Sequence, residues 1–168
     1  MELNGEIVRI FFDPKTRQIL DITICEEHAR FECQRCATFC CKLGGPKLTK
    51  KDIQRIEQAG YSPRKFLNPF KGRSNRSSTF QGSLKSRDDG SCVFLEFDPE
   101  RGNYECSIYD SRPALCRLYP FDFEKIDSKS IVLRLIPCCR GLNNPDGELV
   151  DERFIVSHML DAIFDLTF

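Results

Sequence analysis

Alternating hydrophobic and polar positions along the chain predict three β-hairpins. The runs GEIVRIFF (5–12) and RQILDITIC (17–25) flank a turn-like DPKT, so the chain is expected to begin with a hairpin. SCVFLEF and NYECSIY flank DPERGN and predict a second hairpin that carries Cys92 and Cys106. FDFEKI and SIVLRLI predict a third hairpin, which leads to Cys138 and Cys139.

Two helices are predicted between the first and second hairpins. Thr49, followed three residues later by Asp52, is a capping-box pattern for a helix that ends at Gly60. Ser62 and Pro63 predict a further short helix through Leu67, because a serine cap followed by proline suits a helix N-terminus. The "GGP" at 44–46 breaks regular structure before the first of these helices.

The last third of the chain predicts two more helical stretches. In DSRPALCRLYPF, Cys116 is expected on one helical turn between two prolines. ELVDERFIVSHMLDAIFDL predicts an amphipathic C-terminal helix that starts near Asp146 or Gly147. Taken together, these elements predict the α+β class: one small domain over residues 1–168, built of β-hairpins with a few helices and with its cysteine-bearing loops converging on a metal or iron–sulfur site.

Composition and charge narrow the class of protein. The 168 residues suit one ordinary domain, and 25 basic against 25 acidic side chains exclude a polycation and an acidic tail. The first apolar run is short and contains Arg9, which is unlike a secretory signal, and no apolar segment approaches the roughly 20 residues of a membrane span. A cytoplasmic location without membrane contact is therefore expected.

The segment from Arg64 to Arg87 differs from the rest of the chain. It holds seven basic residues, no acidic one, and many Ser, Asn and Gly residues, a composition that favours a solvated, mobile basic loop. The alternative is a partner-binding segment, in which Phe66, Phe70 and Phe80 stack on RNA bases while the cations contact phosphates, or in which the segment docks on an acidic protein.

Ten cysteines, against two histidines, are the main chemical signal. Two residues separate Cys33 from Cys36, a spacing that can aim both thiolates at one metal. Neighbouring side chains point in divergent directions, so only one member of each adjacent pair, 40–41 and 138–139, is expected to serve a given centre. Cys25 is set aside as a small buried strand residue.

Several occupants of these cysteines stay open. Nine sulfurs exceed one tetrahedral zinc site, and neither a second C-x2-C nor the ferredoxin cysteine run is present. An iron–sulfur cluster, with [4Fe–4S] as the leading type, zinc alone, one of each, or disulfides and inert thiols all remain possible, although a reducing cytosol disfavours disulfides. The predicted metal or cofactor ligands are Cys33, Cys36, Cys40, Cys41, Cys92, Cys106, Cys116, Cys138 and Cys139.

Three stretches, FECQRCATFCCKLGGPKL, SCVFLEF and CSIYDSRPALCRLYPF, resemble a known family. In this order they are similar to the CxxCxxCC zinc- or iron-chelating domain, the YkgJ-like cysteine-cluster proteins, over residues 31–121. The chain differs from the family pattern in having three residues between Cys36 and Cys40 rather than two, and Ala37 where glycine is frequent. The resemblance implies metal or iron–sulfur binding by Cys33, Cys36, Cys40, Cys41, Cys92, Cys106 and Cys116.

No catalytic residue is predicted. The chain lacks G-x-S-x-G, Walker A and dinucleotide fingerprints, and His158 is expected at the surface of the C-terminal helix. Arg117 either stabilises thiolates or pairs at the surface, whereas surface pairing is favoured for Arg112. The predicted function is metal binding with electron transfer or redox sensing, and the alternative is an RNA- or protein-interaction module with a structural zinc.

Overall fold

A computed structural model of the chain describes residues 5–37, 40–42, 44–70 and 79–168, and it has the predicted α+β class. No helix within these ranges is long and apolar enough to cross a membrane. The elements, in chain order, are β1 (Glu6–Phe12), β2 (Ile19–Ile24), β3 (Arg30–Phe31), β4 (Lys47–Thr49), α1 (Lys50–Gln58), α2 (Pro63–Phe66), β5 (Leu67–Pro69), β6 (Phe80–Leu84), β7 (Leu95–Asp98), β8 (Asn103–Cys106), a 3₁₀ turn (Tyr109–Ser111), α3 (Ala114–Leu118), β9 (Phe121–Lys125), β10 (Ser130–Leu135), β11 (Glu148–Leu149), α4 (Glu152–Phe154), a π-helical turn (Ile155–Met159) and α5 (Leu160–Thr167).

The contacts of the chain divide it into two compact units. Unit 1 consists of Met1–Gln34 with Leu118–Phe168, and unit 2 is the intervening Arg35–Arg117. Each unit has its own sheets and is described by itself. The prediction of one domain over residues 1–168 stays a prediction.

Unit 1 is built on a four-stranded antiparallel sheet in the order β2-β1-β10-β9. The first and third predicted hairpins supply its strands, so both are confirmed. The central strands pair with Ile10 opposite Ile131, and both side chains are buried. The Phe12 ring contacts Phe164 and Phe168 at centroid distances of 5.8 and 5.6 Å, which packs α5 against β1.

The C-terminal helix starts later than the sequence pattern predicts. Glu148 and Leu149 form β11, which pairs with β3 through Phe31 and Arg30. The helical stretch then begins after Asp151, whose carboxylate accepts a hydrogen bond of 2.9 Å from the Phe154 amide. The predicted start near Asp146 or Gly147 is wrong, because the backbone of Glu148 and Leu149 pairs with β3, a strand distant in sequence.

Unit 2 contains a three-stranded antiparallel sheet in the order β4-β6-β5 and the helix α1. The predicted capping box is confirmed, since the Thr49 hydroxyl accepts from the Asp52 amide and the Asp52 carboxylate accepts from the Thr49 amide. Gly45 lies directly against the Leu84 carbonyl of β6, where a Cβ atom would overlap it. The glycine of "GGP" therefore permits a close approach of two backbones.

The basic segment is not a loop throughout, contrary to the prediction. Its flanks form α2, β5 and β6, and residues 71–78 lie outside the described part. Phe66 is 0% exposed and packs in the core, whereas Phe70 is 49% exposed, so Phe66 cannot stack on an RNA base. The Lys85 ammonium donates to the Arg64 carbonyl at 2.6 Å. An RNA or acidic protein partner for this segment stays a prediction.

The core of unit 2 lies beneath the second hairpin. The hairpin is confirmed as β7 and β8, with Leu95 opposite Cys106, but Cys92 precedes β7 instead of lying on it. The buried core residues are Ala37, Leu48, Ile56, Phe66, Leu84, Cys92, Phe94, Leu95 and Ile108, with Cys41 and Cys106 packed against them. Three of the predicted ligands therefore border one apolar core.

Candidate metal centre

Five cysteines of unit 2 gather from four separate segments of the chain. Cys40 and Cys41 are in the turn before β4, Cys92 precedes β7, Cys106 ends β8, and Cys116 lies on α3. The charged forms of Cys40, Cys92, Cys106 and Cys116 act on other thiols of the set, and Cys41 is hydrogen-bonded to Cys40, so the five lie within electrostatic range of one another. We call this set the five-thiol cluster.

Backbone hydrogen bonds hold these segments together. The Cys92 amide donates to the Cys41 carbonyl at 2.7 Å, which joins the cysteine turn to the chain before β7. The Leu95 amide donates in turn to the Cys92 carbonyl at 3.0 Å, and Leu95 pairs with Cys106 across the hairpin. Main-chain contacts therefore bring the segments of Cys41, Cys92 and Cys106 together, three of the four segments of the cluster.

Cys40 and Cys41 form a hydrogen-bonded pair. The bond from the Cys41 side chain lowers the pKa of Cys40 to about 7, and Arg112 contributes to the same shift. The same bond raises the pKa of Cys41, and burial of its thiol raises it further. The hydrogen bond therefore favours one thiolate in the pair, with the remaining proton shared between the two sulfurs.

Burial keeps the other three thiols of the cluster protonated. Burial makes the largest contribution to the raised pKa of Cys92, Cys106 and Cys116. The pKa of Cys116 is raised further by the nearby sulfurs of Cys92 and Cys106. A bound metal cation would instead lower the pKa of these thiols, because coordination favours the thiolate.

Arg112 is the arginine whose charge acts on more thiols of the cluster, three against the one on which Arg87 acts. Its positive charge adds to the lowering of the Cys40 pKa and partly offsets the raised pKa values of Cys106 and Cys116, as the charge of Arg87 does for Cys92. The Arg112 guanidinium lies 3.7 Å from the centre of the Tyr109 ring, and its Nε donates to the Tyr109 carbonyl at 2.9 Å. The sequence-based preference for surface pairing of Arg112 stays a prediction.

Replacing Arg112 with glutamine is expected to make metal binding more sensitive to acid. Without this charge the pKa of the thiols rises, so protons compete with the metal up to a higher pH. The pH at which half of added Zn²⁺ is released should therefore move upward, as measured by titration with a zinc-sensitive dye. Arg101→Gln is the matched control, because Arg101 pairs with Asp98 and Glu105 at the surface. Equal release curves for Arg112→Gln and Arg101→Gln would contradict the assignment.

The donor set of the cluster suits a thiophilic metal. Thiolates are the ligands that select zinc and iron–sulfur clusters, and five sulfurs exceed the four that either occupant needs. Within the described ranges, no three His, Cys, Asp or Glu side chains form a group that could hold one metal ion as placed. Each cysteine has one rotatable side-chain bond, χ1, that moves its sulfur, so the sulfur positions depend on the rotamers as well as on the backbone.

The other predicted ligands are placed as follows. Cys33 and Cys138 are exposed in unit 1, where Cys139 is partly buried. These cysteines lie on neighbouring segments, because the Glu32 amide donates to the Gly141 carbonyl at 3.0 Å. Cys36 belongs to unit 2 and is partly buried. All nine ligand assignments stay predictions.

Cys25 differs from its sequence-based interpretation. It lies just after β2 and is exposed, so the expectation of a small buried strand residue is wrong. Its thiol contacts the Thr23 carbonyl at 3.9 Å. All ten cysteines are present as thiols. His158 is exposed as predicted, with its Nε2 2.9 Å from a Glu148 carboxylate oxygen.

A family model described as "CxxCxxCC: Putative zinc- or iron-chelating domain" matches residues 32–145. The chain belongs to this family. The match includes the whole five-thiol cluster and also Cys138 and Cys139, beyond the stretch that carries the sequence resemblance. Metal chelation is therefore the activity to which the family description points, whereas the type of centre is not part of it.

One relative in the CxxCxxCC family is an uncharacterized protein of Methanocaldococcus jannaschii. It is 33% identical over 127 residues, which cover 74% of this chain and 64% of the relative. The matched region thus spans somewhat less than two thirds of that longer protein. No solved structure matches the chain.

The backbone adopts a left-handed conformation on both sides of Cys36. Ala37 has a φ of 54° in this region. Arg35, on the other side of Cys36, also has a positive φ of 49°. Glycine adopts this conformation without steric cost, whereas alanine and arginine do so at a cost, so the backbone around Cys36 is locally strained.

Sequence reasoning identified Asp52 only as a helix cap. In the structure its carboxylate also accepts a hydrogen bond of 2.9 Å from the Ala114 amide, 62 residues away and two residues before Cys116. The only available signal was an acidic residue at the third position of α1, which every capping box of this kind shares. A contact between residues so far apart has no local signature.

Proposed function

We propose that the five-thiol cluster binds a thiolate-liganded metal centre, with an iron–sulfur cluster of the [4Fe–4S] type as the leading occupant and zinc as the alternative. The observation that carries this proposal is the gathering of five thiols from four segments next to Arg112. Membership in a chelating family supports it. The biological process is left unassigned.

The charge arrangement supports a metal over inert thiols. An isolated buried cysteine behaves as a small hydrophobe and needs no cation nearby. Here two arginines, Arg87 and Arg112, act on four of the thiols and favour their ionised forms. When thiolates surround a metal or cluster, the net negative charge that remains is reduced by such cations.

The occupant determines what the centre does. An iron–sulfur cluster supplies one-electron chemistry at a potential set by hydrogen bonds and charge around its sulfurs, whereas zinc contributes folding free energy without redox change. For the cluster we propose electron transfer or redox sensing. The other predicted ligands, Cys33, Cys36, Cys138 and Cys139, are also proposed to bind metal or cofactor.

Metal analysis after anaerobic purification tests the proposal. We expect stoichiometric iron with acid-labile sulfide and visible absorption for a cluster, or stoichiometric zinc without colour, because zinc is a d¹⁰ ion. A protein that holds neither metal in stoichiometric amount would contradict metal binding. A colourless zinc protein would favour the alternative of an interaction module with a structural metal.

The redox role has its own test. Adding dithionite to the anaerobic protein is expected to bleach the visible bands, and reoxidation is expected to restore them. Electron paramagnetic resonance of the reduced sample gives an independent measurement. A centre whose spectrum does not respond in either direction leaves metal binding in place and removes electron transfer.

A further inference from the structure

We infer that the buried carboxylate of Asp52 is a positioning residue that holds Cys116 in place for the metal centre. Its effect on metal affinity rests on the proposed function, whereas its effect on the position of Cys116 does not. Asp52 lies on α1 and Cys116 on α3, and both belong to unit 2.

Asp52 is a charged side chain with 0% exposure, and both of its oxygens are used. Oδ2 accepts hydrogen bonds of 2.9 Å from the Thr49 amide and from the Thr49 hydroxyl. Oδ1 accepts from the Ala114 amide at 2.9 Å and from the Arg55 guanidinium at 3.1 Å. Four donors thus satisfy a carboxylate that would otherwise be costly to bury.

The two oxygens have separate roles. The capping box of α1 uses Oδ2, and this interaction is complete within the sequence Thr49 to Asp52. Oδ1 is not needed for the box, and it binds the first residue of α3 instead. A local cap at a helix end does not require burial, so the Ala114 contact accounts for the buried position of the carboxylate.

Ala114 depends on this contact. The first N–H groups of a helix have no partner within it, and Pro113 has no N–H at all. The Arg117 amide donates to the Pro113 carbonyl at 3.0 Å, which closes the turn around Cys116. A turn this short moves as a unit, so the bond at Ala114 helps to fix the backbone of Cys116, from which its sulfur extends.

Metal affinity is sensitive to small displacements of a ligand such as the Cys116 sulfur. Metal–thiolate bonds of about 2.3 Å tolerate deviations of about 0.2 Å, and partners that orient a ligand typically affect affinity about 10–100-fold. Asp52→Asn keeps the size of the side chain, but its NH₂ group must face either the two donors of Thr49 or the donors of Ala114 and Arg55. An NH₂ group cannot accept hydrogen bonds from them. We therefore expect Asp52→Asn to lower the affinity for Zn²⁺ about 10–100-fold.

Thr49→Ala is the matched control. It removes the hydroxyl from the same capping box and leaves the Oδ1–Ala114 bond in place. Ala114→Pro is a second variant, which removes the Ala114 N–H without changing Asp52; because Ala114 is 0% exposed, its thermal unfolding is compared with that of the unaltered protein before its Zn²⁺ affinity is interpreted. It tests the same bond if Asp52→Asn does not fold.

The measurements are made on the full chain. Zn²⁺ affinity is measured by competition with a chromophoric chelator, and Co²⁺ absorption reports how many thiolates bind the ion. Thermal unfolding is recorded in parallel. Asp52→Asn and Ala114→Pro are expected to lose Zn²⁺ affinity and thiolate–cobalt absorption, while Thr49→Ala retains both and loses only stability.

A metal-free measurement separates the two levels of the inference. The rate at which iodoacetamide labels Cys116, followed by mass spectrometry, should rise in Asp52→Asn and Ala114→Pro relative to Thr49→Ala. If the unaltered protein binds neither ion but this difference in labelling is found, the proposed function fails and the positioning role stands. Equal affinity, absorption and labelling in all variants would overturn the positioning role.

Discussion

Cys116→Ser is expected to remove most of the bound metal and to lower the melting temperature at the same time. Serine offers a hard oxygen in place of a thiolate, which thiophilic metals disfavour. A structural zinc contributes about 10–16 kcal/mol in small peptides, comparable with the roughly 5–15 kcal/mol of total stability of a domain. Metal content by elemental analysis and unfolding by circular dichroism measure the two effects. Cys36→Ser is expected to act in the same direction.

Cys25→Ser is the matched control for this prediction. It makes the same chemical change at an exposed thiol outside the five-thiol cluster. Its metal content and melting temperature should stay near those of the unaltered protein. If Cys25→Ser depletes the metal as strongly as Cys116→Ser, Cys25 belongs to the metal site and the prediction that it does not is contradicted.

Gly45→Ala is expected to destabilise the protein by about 3 kcal/mol, at the upper end of overpacking effects. The new Cβ atom would overlap the Leu84 carbonyl of β6, and backbone cannot yield as a flexible side chain does. For a chain of this size the melting temperature should fall by about 6–12 °C. Differential scanning calorimetry measures the change.

Gly5→Ala is the control for the loss of glycine itself. A Cβ atom at Gly5 would meet nothing within 4 Å, so this variant should be as stable as the unaltered protein or slightly more stable. A melting temperature for Gly45→Ala equal to that of Gly5→Ala would refute the close approach of the two backbones. Because Gly45 lies between the cysteine turn and β4, a loss of bound metal in Gly45→Ala is also expected.

Local patterns were sufficient to predict the three hairpins and the first helix. The turn-like DPKT and DPERGN connect strands whose partners lie close in sequence, so alternation and turn chemistry determine their pairing. The capping box at Thr49 and Asp52 likewise acts over four residues. The cysteine order was enough to predict the family, because ligand spacing is itself a sequence property.

Other predictions failed where distant partners compete with local preference. Glu148 and Leu149 carry part of a helical pattern but pair with β3, more than a hundred residues earlier. The composition of residues 64–87 favours a loop, yet its two ends form antiparallel strands joined through Leu67 and Leu84. Burial of Phe66 depends on that pairing and on the core beneath it.

The sequence by itself determined the fold class, the hairpins and membership in a family described as zinc- or iron-chelating, since each follows from short-range patterns and the spacing of cysteines. Only the tertiary structure decided which thiols gather, that Arg112 faces them, and that Asp52 holds the helix of Cys116. These features join residues up to 76 positions apart, Cys40 and Cys116 among them. Packing brings such residues together, and no local pattern records the result.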